Sequence, residues 1–171
     1  AGGCPGLDAA TVDVMESNRF ITLLLIVLSA VGLATSVYLT TGHYGDVPLV
    51  CNADAVVNCE QVLQSKYAAV MGVPWSIGGI VWFAVTGALA MITLLRRIEP
   101  EWVQPAQVAW SVIGLTTAVY LIGVEVLAVD RICLWCTALH ALILLIFVLH
   151  VVREPDVEEP PEGDGRQPSF R

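Results

Sequence analysis

The chain has 171 residues, 56% of them hydrophobic and 14% charged, with a formal net charge of −8. So apolar a composition excludes an ordinary soluble domain, and the negative charge argues against nucleic acid as a partner. What remains is a small polytopic membrane protein with five cysteines, too few for a disulfide scaffold and enough for a redox site.

In chain order, Ala1 to Asn18 is small, polar and without apolar period, and reads as a flexible N-terminal segment (residues 1–18) with Met15 as a natural start. Cys4 lies there in Gly-rich sequence and is assigned no part in the chemistry. No signal peptide is expected, because the apolar run that follows is too long and lacks a small-residue cleavage site.

Four uncharged runs follow: Phe20 to Thr41, Met71 to Leu95, Val103 to Val124 and Ile132 to Val152. Each is long enough to cross about 30 Å of hydrocarbon at about 1.5 Å per residue. Backbone polar groups cannot stay unpaired there, so the expected fold is an all-α membrane protein, a four-transmembrane-helix bundle over residues 19–153. Gly32, Ala34, Ser36, Gly78, Gly79, Gly87, Gly114 and Gly123 are expected where helices cross closely.

Basic residues set the expected orientation. Arg19, Arg96, Arg97 and Arg153 flank one set of span ends and only Lys66 and Arg131 the other, which predicts both termini in the cytoplasm. The segment from Gly42 to Val70 and the turn Val129-Asp130-Arg131 then lie outside, with Cys51, Cys59, Cys133 and Cys136 on the oxidising, extracytoplasmic face. That outer segment opens with turn residues Gly42, Gly45, Asp46 and Pro48 and becomes helix-compatible from Glu60 to Met71. A short amphipathic helix is expected there between the first two spans, with Val62, Leu63, Tyr67 and Val70 on its apolar face.

Cys133-Leu134-Trp135-Cys136 opens the fourth span. At spacing i, i+3 its two cysteines share a helix face, and a helix N-terminus is a reactive setting for thiols, although free Cys is often a plain core residue. Four outer cysteines allow three pairings. Two arrangements matter: Cys51–Cys59 together with Cys133–Cys136, and a crossed Cys59–Cys133 bond. Exchange between them would carry two electrons inward through a mixed disulfide, while the static alternative is a loop staple beside an inert pair. A metal is not expected, since a disulfide-permissive setting competes with zinc and the first two cysteines are widely spaced.

Four spans, the loop pair Cys51 and Cys59, Ser65 six residues after the second loop cysteine, and Cys133-Leu134-Trp135-Cys136 at the fourth span resemble the vitamin K epoxide reductase family, including its bacterial, DsbB-like quinone-dependent thiol oxidases. The likeness covers Arg19 to Val152. It implies a bundle around a bound quinone of the menaquinone, ubiquinone or phylloquinone type. Cys136 would stand next to the quinone, Cys133 would be its exchange partner, and Cys51 and Cys59 would be a shuttle pair. That pair would meet a thioredoxin-like or DsbA-like redox protein on the outer side. The quinone contacts expected from the resemblance are Ser65, Leu63, Tyr67, Trp75 and His140. Two of them depart from the vertebrate pattern: His140 stands where a quinone-bonding Tyr occurs, and Trp75 where an Asn occurs.

His140 lies one turn deeper than Cys136 on the same face, and is either a quinone or proton ligand or a neutral His bonded to a neighbouring helix. The interfacial position of Glu125 points to a solvated carboxylate rather than a proton relay. His43 and His150 are assigned nothing. Residues 154–171 are acidic and Pro-rich and read as a disordered cytoplasmic tail. The tail carries no thioredoxin-like domain, so the expected electron donor is a separate protein. The expected function is extracytoplasmic disulfide-bond formation in a cell membrane, a bacterial one by the resemblance of Gly72-Val73-Pro74. The alternatives are a reductase of a vitamin K cycle and, in another class, a four-span scaffold or adhesion protein with a disulfide-clamped outer loop.

Overall fold

The computed structural model describes residues 9–45, 48–51, 56–95 and 102–153. The assignments made for Cys4, for Arg96 and Arg97 and for the acidic tail lie outside them. Four helical segments are long and apolar enough to cross a membrane: Glu16–Tyr44, Trp75–Leu95, Val103–Val129 and Leu134–Val152. They alternate in direction, so the ends bearing Arg19 and Arg153 lie together, opposite the end that carries Cys51, Cys59, Cys133 and Cys136.

α1 spans Ala9–Tyr44 and so begins inside the stretch read as an aperiodic lead-in. Once the apolar span has nucleated the helix, each further residue adds a hydrogen bond at little cost, and Ala9 to Asn18 contains nothing that breaks it. α2 is a single turn, Cys59–Leu63, whose Asn58 cap accepts from the Gln61 N–H. The helix expected to run on to Met71 stops there. Instead β1 (Ala69–Val70) and β2 (Val73–Pro74) pair antiparallel around Met71 and Gly72, both at positive φ (53° and 82°). That two-residue turn matches the twist of a hairpin, and Gly72 adopts its half without strain. Tyr67 and Val70, expected on the buried face of the helix, stand 37% and 51% exposed instead. α3 (Trp75–Leu95) accordingly starts four residues later than the apolar run.

α4 (Val103–Val124) continues as one π-helical turn, Glu125–Val129, and the chain then reverses at Asp130 in left-handed conformation before α5 (Leu134–Val152). α1 packs most extensively on α3 and α4 on α5.

The α1–α3 seam is built from small residues in antiparallel register. A Cβ on Gly79 would stand 2.8 Å from Ser36 Oγ, one on Gly87 3.3 Å from Ser29 Cβ, and one on Gly32 2.2 Å from the Phe83 ring. Further along, Thr40 Oγ1 donates to Ser76 Oγ (2.9 Å). Close backbone approach of this kind replaces the hydrophobic drive that helices lack inside lipid. Gly78, Gly123 and Ala34 do not belong to such crossings: an added Cβ meets nothing within 4 Å at either glycine, and Ala34 is exposed. α3 and α4 touch over a shorter length. There Trp82 Nε1 donates to the Trp110 carbonyl (3.1 Å) and Trp110 Nε1 to the Trp82 carbonyl (3.3 Å), and the Trp82 ring occupies the space a Cβ at Gly114 would need.

Gly32→Ala should therefore force the buried Phe83 ring aside and destabilise the bundle by about 1–3 kcal/mol. Gly123→Ala, with open space around it, should leave stability within about 0.5 kcal/mol. Thermal unfolding of both variants in the same detergent checks the contrast.

Candidate active site

The two cysteine pairs reach one another through a short stretch of paired backbone. Val57 and Ile132 form a parallel bridge in which Asn58 N–H donates to the Ile132 carbonyl (3.0 Å) and Ile132 N–H to the Val56 carbonyl (3.0 Å). One or two residues beyond it on either strand begins a helix. Cys59 is the first residue of α2, and Cys133 is the cap of α5, its Sγ accepting from the Cys136 N–H at 3.2 Å. Cys59 and Cys133 are both fully buried, in one apolar cluster with Leu39, Val62, Leu63 and Leu139.

Cys51 and Cys59 form a disulfide with Cα atoms 6.1 Å apart, and Cys133 and Cys136 are free thiols. The loop pair is thus joined as in the first arrangement expected from sequence, but the helix pair is reduced rather than bonded. The loop end of the disulfide is held by the residue between the two thiols of the motif and its neighbour. Trp135 Nε1 donates to the Val50 carbonyl (2.9 Å), Val50 N–H donates to the Tyr38 hydroxyl (2.8 Å), and the two rings meet edge to face at 5.2 Å. Both main-chain groups of the residue before Cys51 are thereby fixed from α5 and α1.

Beneath the thiols lies a cavity of about 450 Å³ between α1, α3, α4 and α5, roofed by α2 and the hairpin. Its wall is overwhelmingly apolar and includes Leu39, Val62, Trp82, Phe83, Leu121 and Leu139. Cys136 lines it and Cys133 does not. Ser65, Leu63, Tyr67, Trp75 and His140, the five positions expected around a quinone, all line it as well. Among the described residues Trp75 Nε1 and His140 Nδ1 are buried without a hydrogen-bond partner, so His140 is not bonded to a neighbouring helix through that nitrogen. Unmade hydrogen bonds of this kind are costly in a dry interior, and they mark where a polar atom of a ligand belongs.

Glu125 differs from its expected place in solvent. Seven residues beyond Ala118 on the buried face of α4, its side chain points inward, where it is 6% exposed, lines the cavity and accepts the Cys133 N–H on Oε2 at 3.4 Å. It shares the cavity wall with Cys136. Its carbonyl receives the Arg131 N–H (3.2 Å), which fastens the tight reversal that leads to the motif. π-helical turns recur at functional sites because they re-aim a side chain without ending the helix.

His43, assigned nothing from sequence, also lines the cavity: its Nδ1 donates to the Leu63 carbonyl (2.7 Å) and its own carbonyl receives Gln64 Nε2–H (3.0 Å). It fastens the roof helix to the end of α1. The available signal was its position one turn beyond Leu39, on the stripe that continues the buried face of α1. His150 lies at the opposite end of the bundle, buried near Arg153, which donates to Gln107 Oε1 (3.3 Å).

The arrangement is a solvent-side disulfide, a dithiol next to it, and an apolar chamber that only the second thiol of that dithiol enters. The model of the Vitamin K epoxide reductase family matches residues 23–151, from the first span to the fourth with both cysteine pairs inside, and the chain belongs to that family.

Proposed function

We propose that this integral membrane oxidoreductase passes two electrons from a thioredoxin-like dithiol protein, through Cys51/Cys59 and then Cys133/Cys136, to a quinone. Its role in this reading is disulfide-bond formation outside the cytoplasm. The observation that carries the proposal is the cavity: an apolar chamber of about 450 Å³ that touches Cys136 and holds two buried nitrogens without protein partners. A quinone is a flat apolar ring with two acceptor oxygens, and Trp75 Nε1–H together with His140, in the tautomer protonated on Nδ1, would supply two donors. Ser65 and Tyr67 would close the roof side and Leu63 the ring face. When bound, the quinone supplies the two-electron acceptor that the protein's own groups lack.

The cysteines perform the rest by thiol–disulfide exchange. The partner's dithiol reduces Cys51–Cys59. The Cys59 thiolate attacks Cys133 of an oxidised Cys133–Cys136 pair, forming the mixed Cys59–Cys133 bond and releasing Cys136. Cys51 then attacks Cys59, closing the loop disulfide and freeing Cys133. The distribution of bonds in the structure, with Cys51–Cys59 joined and Cys133 and Cys136 free, corresponds to the state after that transfer. Reclosure of Cys133–Cys136 would send two electrons into the chamber through the thiol that lines it. The Trp82–Trp110 tie and the α2 roof border the chamber in which this happens.

Three outcomes follow from this reading. Cys136→Ala should abolish quinol formation driven by a reduced thioredoxin-like donor, and alkylation of both helix thiols should do the same; full turnover in either case would refute the relay and favour a scaffold. Trp135→Phe keeps the ring on Tyr38 but loses the bond to Val50, and should slow transfer between the two cysteine pairs about tenfold, as expected for about 1–1.5 kcal/mol. Rapid quenching with an alkylating agent after addition of reductant reads that transfer directly. For orientation, Lys66→Cys should react with an impermeant maleimide in intact cells, and labelling only after lysis would reverse the assigned topology.

A further inference from the structure

Glu125 is the one carboxylate buried inside the described bundle, and nothing in the relay so far uses it. A carboxylate sequestered in an apolar span is costly unless it is bonded or has work to do. One hydrogen bond accounts for part of its position, since Oε2 accepts the Cys133 N–H three residues before Cys136, and Glu125 and Cys136 line the same cavity. Cys133 Sγ is already engaged by the Cys136 N–H, so the two thiols differ: one is held by a backbone amide, the other lines the cavity that the Glu125 carboxylate also lines.

We propose that Glu125 is the proton acceptor for Cys136. The inference rests on the dithiol being the redox pair proposed above. In the step, the Cys136 S–H bond breaks, its proton passes to a Glu125 oxygen, and the sulfur keeps the electron pair. Closure of the Cys133–Cys136 bond then releases two electrons to the oxidant, and the Cys133 proton goes to water. With a quinone as oxidant, Glu125 returns its proton to one reduced oxygen and water supplies the other, so two electrons and two protons balance to quinol. Glu125 follows Ala118 by seven residues on the buried face of α4, and the π-helical turn with the left-handed Asp130 leads the chain back so that the Cys133 N–H reaches its carboxyl group.

The test separates a proton role from a merely structural one, because glutamine keeps an oxygen for the Cys133 N–H and cannot take a proton. Full-length protein carrying Cys4→Ser, Cys51→Ser and Cys59→Ser, reduced and free of quinone in lipid nanodiscs, is mixed with dithiodipyridine. Closure of Cys133–Cys136 is followed by alkylation and intact mass. Glu125→Gln should slow closure about 100-fold, the usual scale of general-base catalysis, and Glu125→Asp should recover part of the rate. Closure of the glutamine variant at the parental rate would overturn the proposal. Should that variant fail to fold, Glu125→Ala with and without added formate answers the same question: acceleration by formate supports the role, and none overturns it. Quinone is absent from the assay, so slowed closure beside a parent protein that forms no quinol would remove the quinone reading and leave the Glu125 role standing. Unslowed closure beside normal quinol formation would do the reverse.

Discussion

The two hydrogen bonds between Val56–Asn58 and Ile132 are the constraint on which the site depends. Without them the loop disulfide and the helix dithiol would belong to separate parts of the chain, seventy-odd residues apart. The bridge brings two short segments side by side in the same direction, and each turns into a helix within two residues. Cys59 and Cys133 therefore both stand at a helix start, one as the first residue and the other as the cap, and both are sealed from solvent by the same apolar cluster. Disulfide exchange needs sulfurs brought close and water kept away, and one backbone bridge between two helix beginnings supplies both conditions.

Below that junction the bundle is organised as two close pairs, α1 with α3 and α4 with α5, joined less tightly between α3 and α4. Small residues allow the first pair to approach until a single methyl group would collide with Phe83. Large ones fill the second boundary, where the indoles of Trp82 and Trp110 each donate to the other's backbone and tie the helices through side chains. A chamber results from this contrast in side-chain size rather than from a gap in the packing. The same contrast explains why its wall is apolar: the faces exposed by separating the pairs are those of membrane helices.

Most of the architecture was legible because hydrocarbon leaves few alternatives: an uncharged run of some twenty residues has to be a helix. Its boundaries were less so. Residues 9–18 became helical by propagation from the span, and the expected helix to Met71 gave way to a hairpin because Met71 and Gly72 adopt positive φ, which periodicity does not encode. The cysteines of the candidate site were legible from order and spacing, whereas Glu125 and His43 were not. Glu125 looked interfacial because it was weighed by its place at the span's end, whereas its seven-residue spacing from Ala118 puts it on the buried face of α4. Among the glycines, composition could not tell Gly32, whose hydrogen is required by Phe83, from Gly123, which meets nothing.

The reversal at Asp130 bears on how the two cysteine pairs divide their movements. Only four residues, 130–133, separate the end of one membrane helix from the start of the next, and at about 3.4 Å each they form a short leash. The helix dithiol is thus anchored at both ends by elements embedded in the bilayer, and it has almost no freedom to travel. Cys51 and Cys59 hang from a far longer connection between α1 and α3. Any displacement that exchange demands falls to that side, which makes Cys133 the fixed contact and the loop cysteines the moving one.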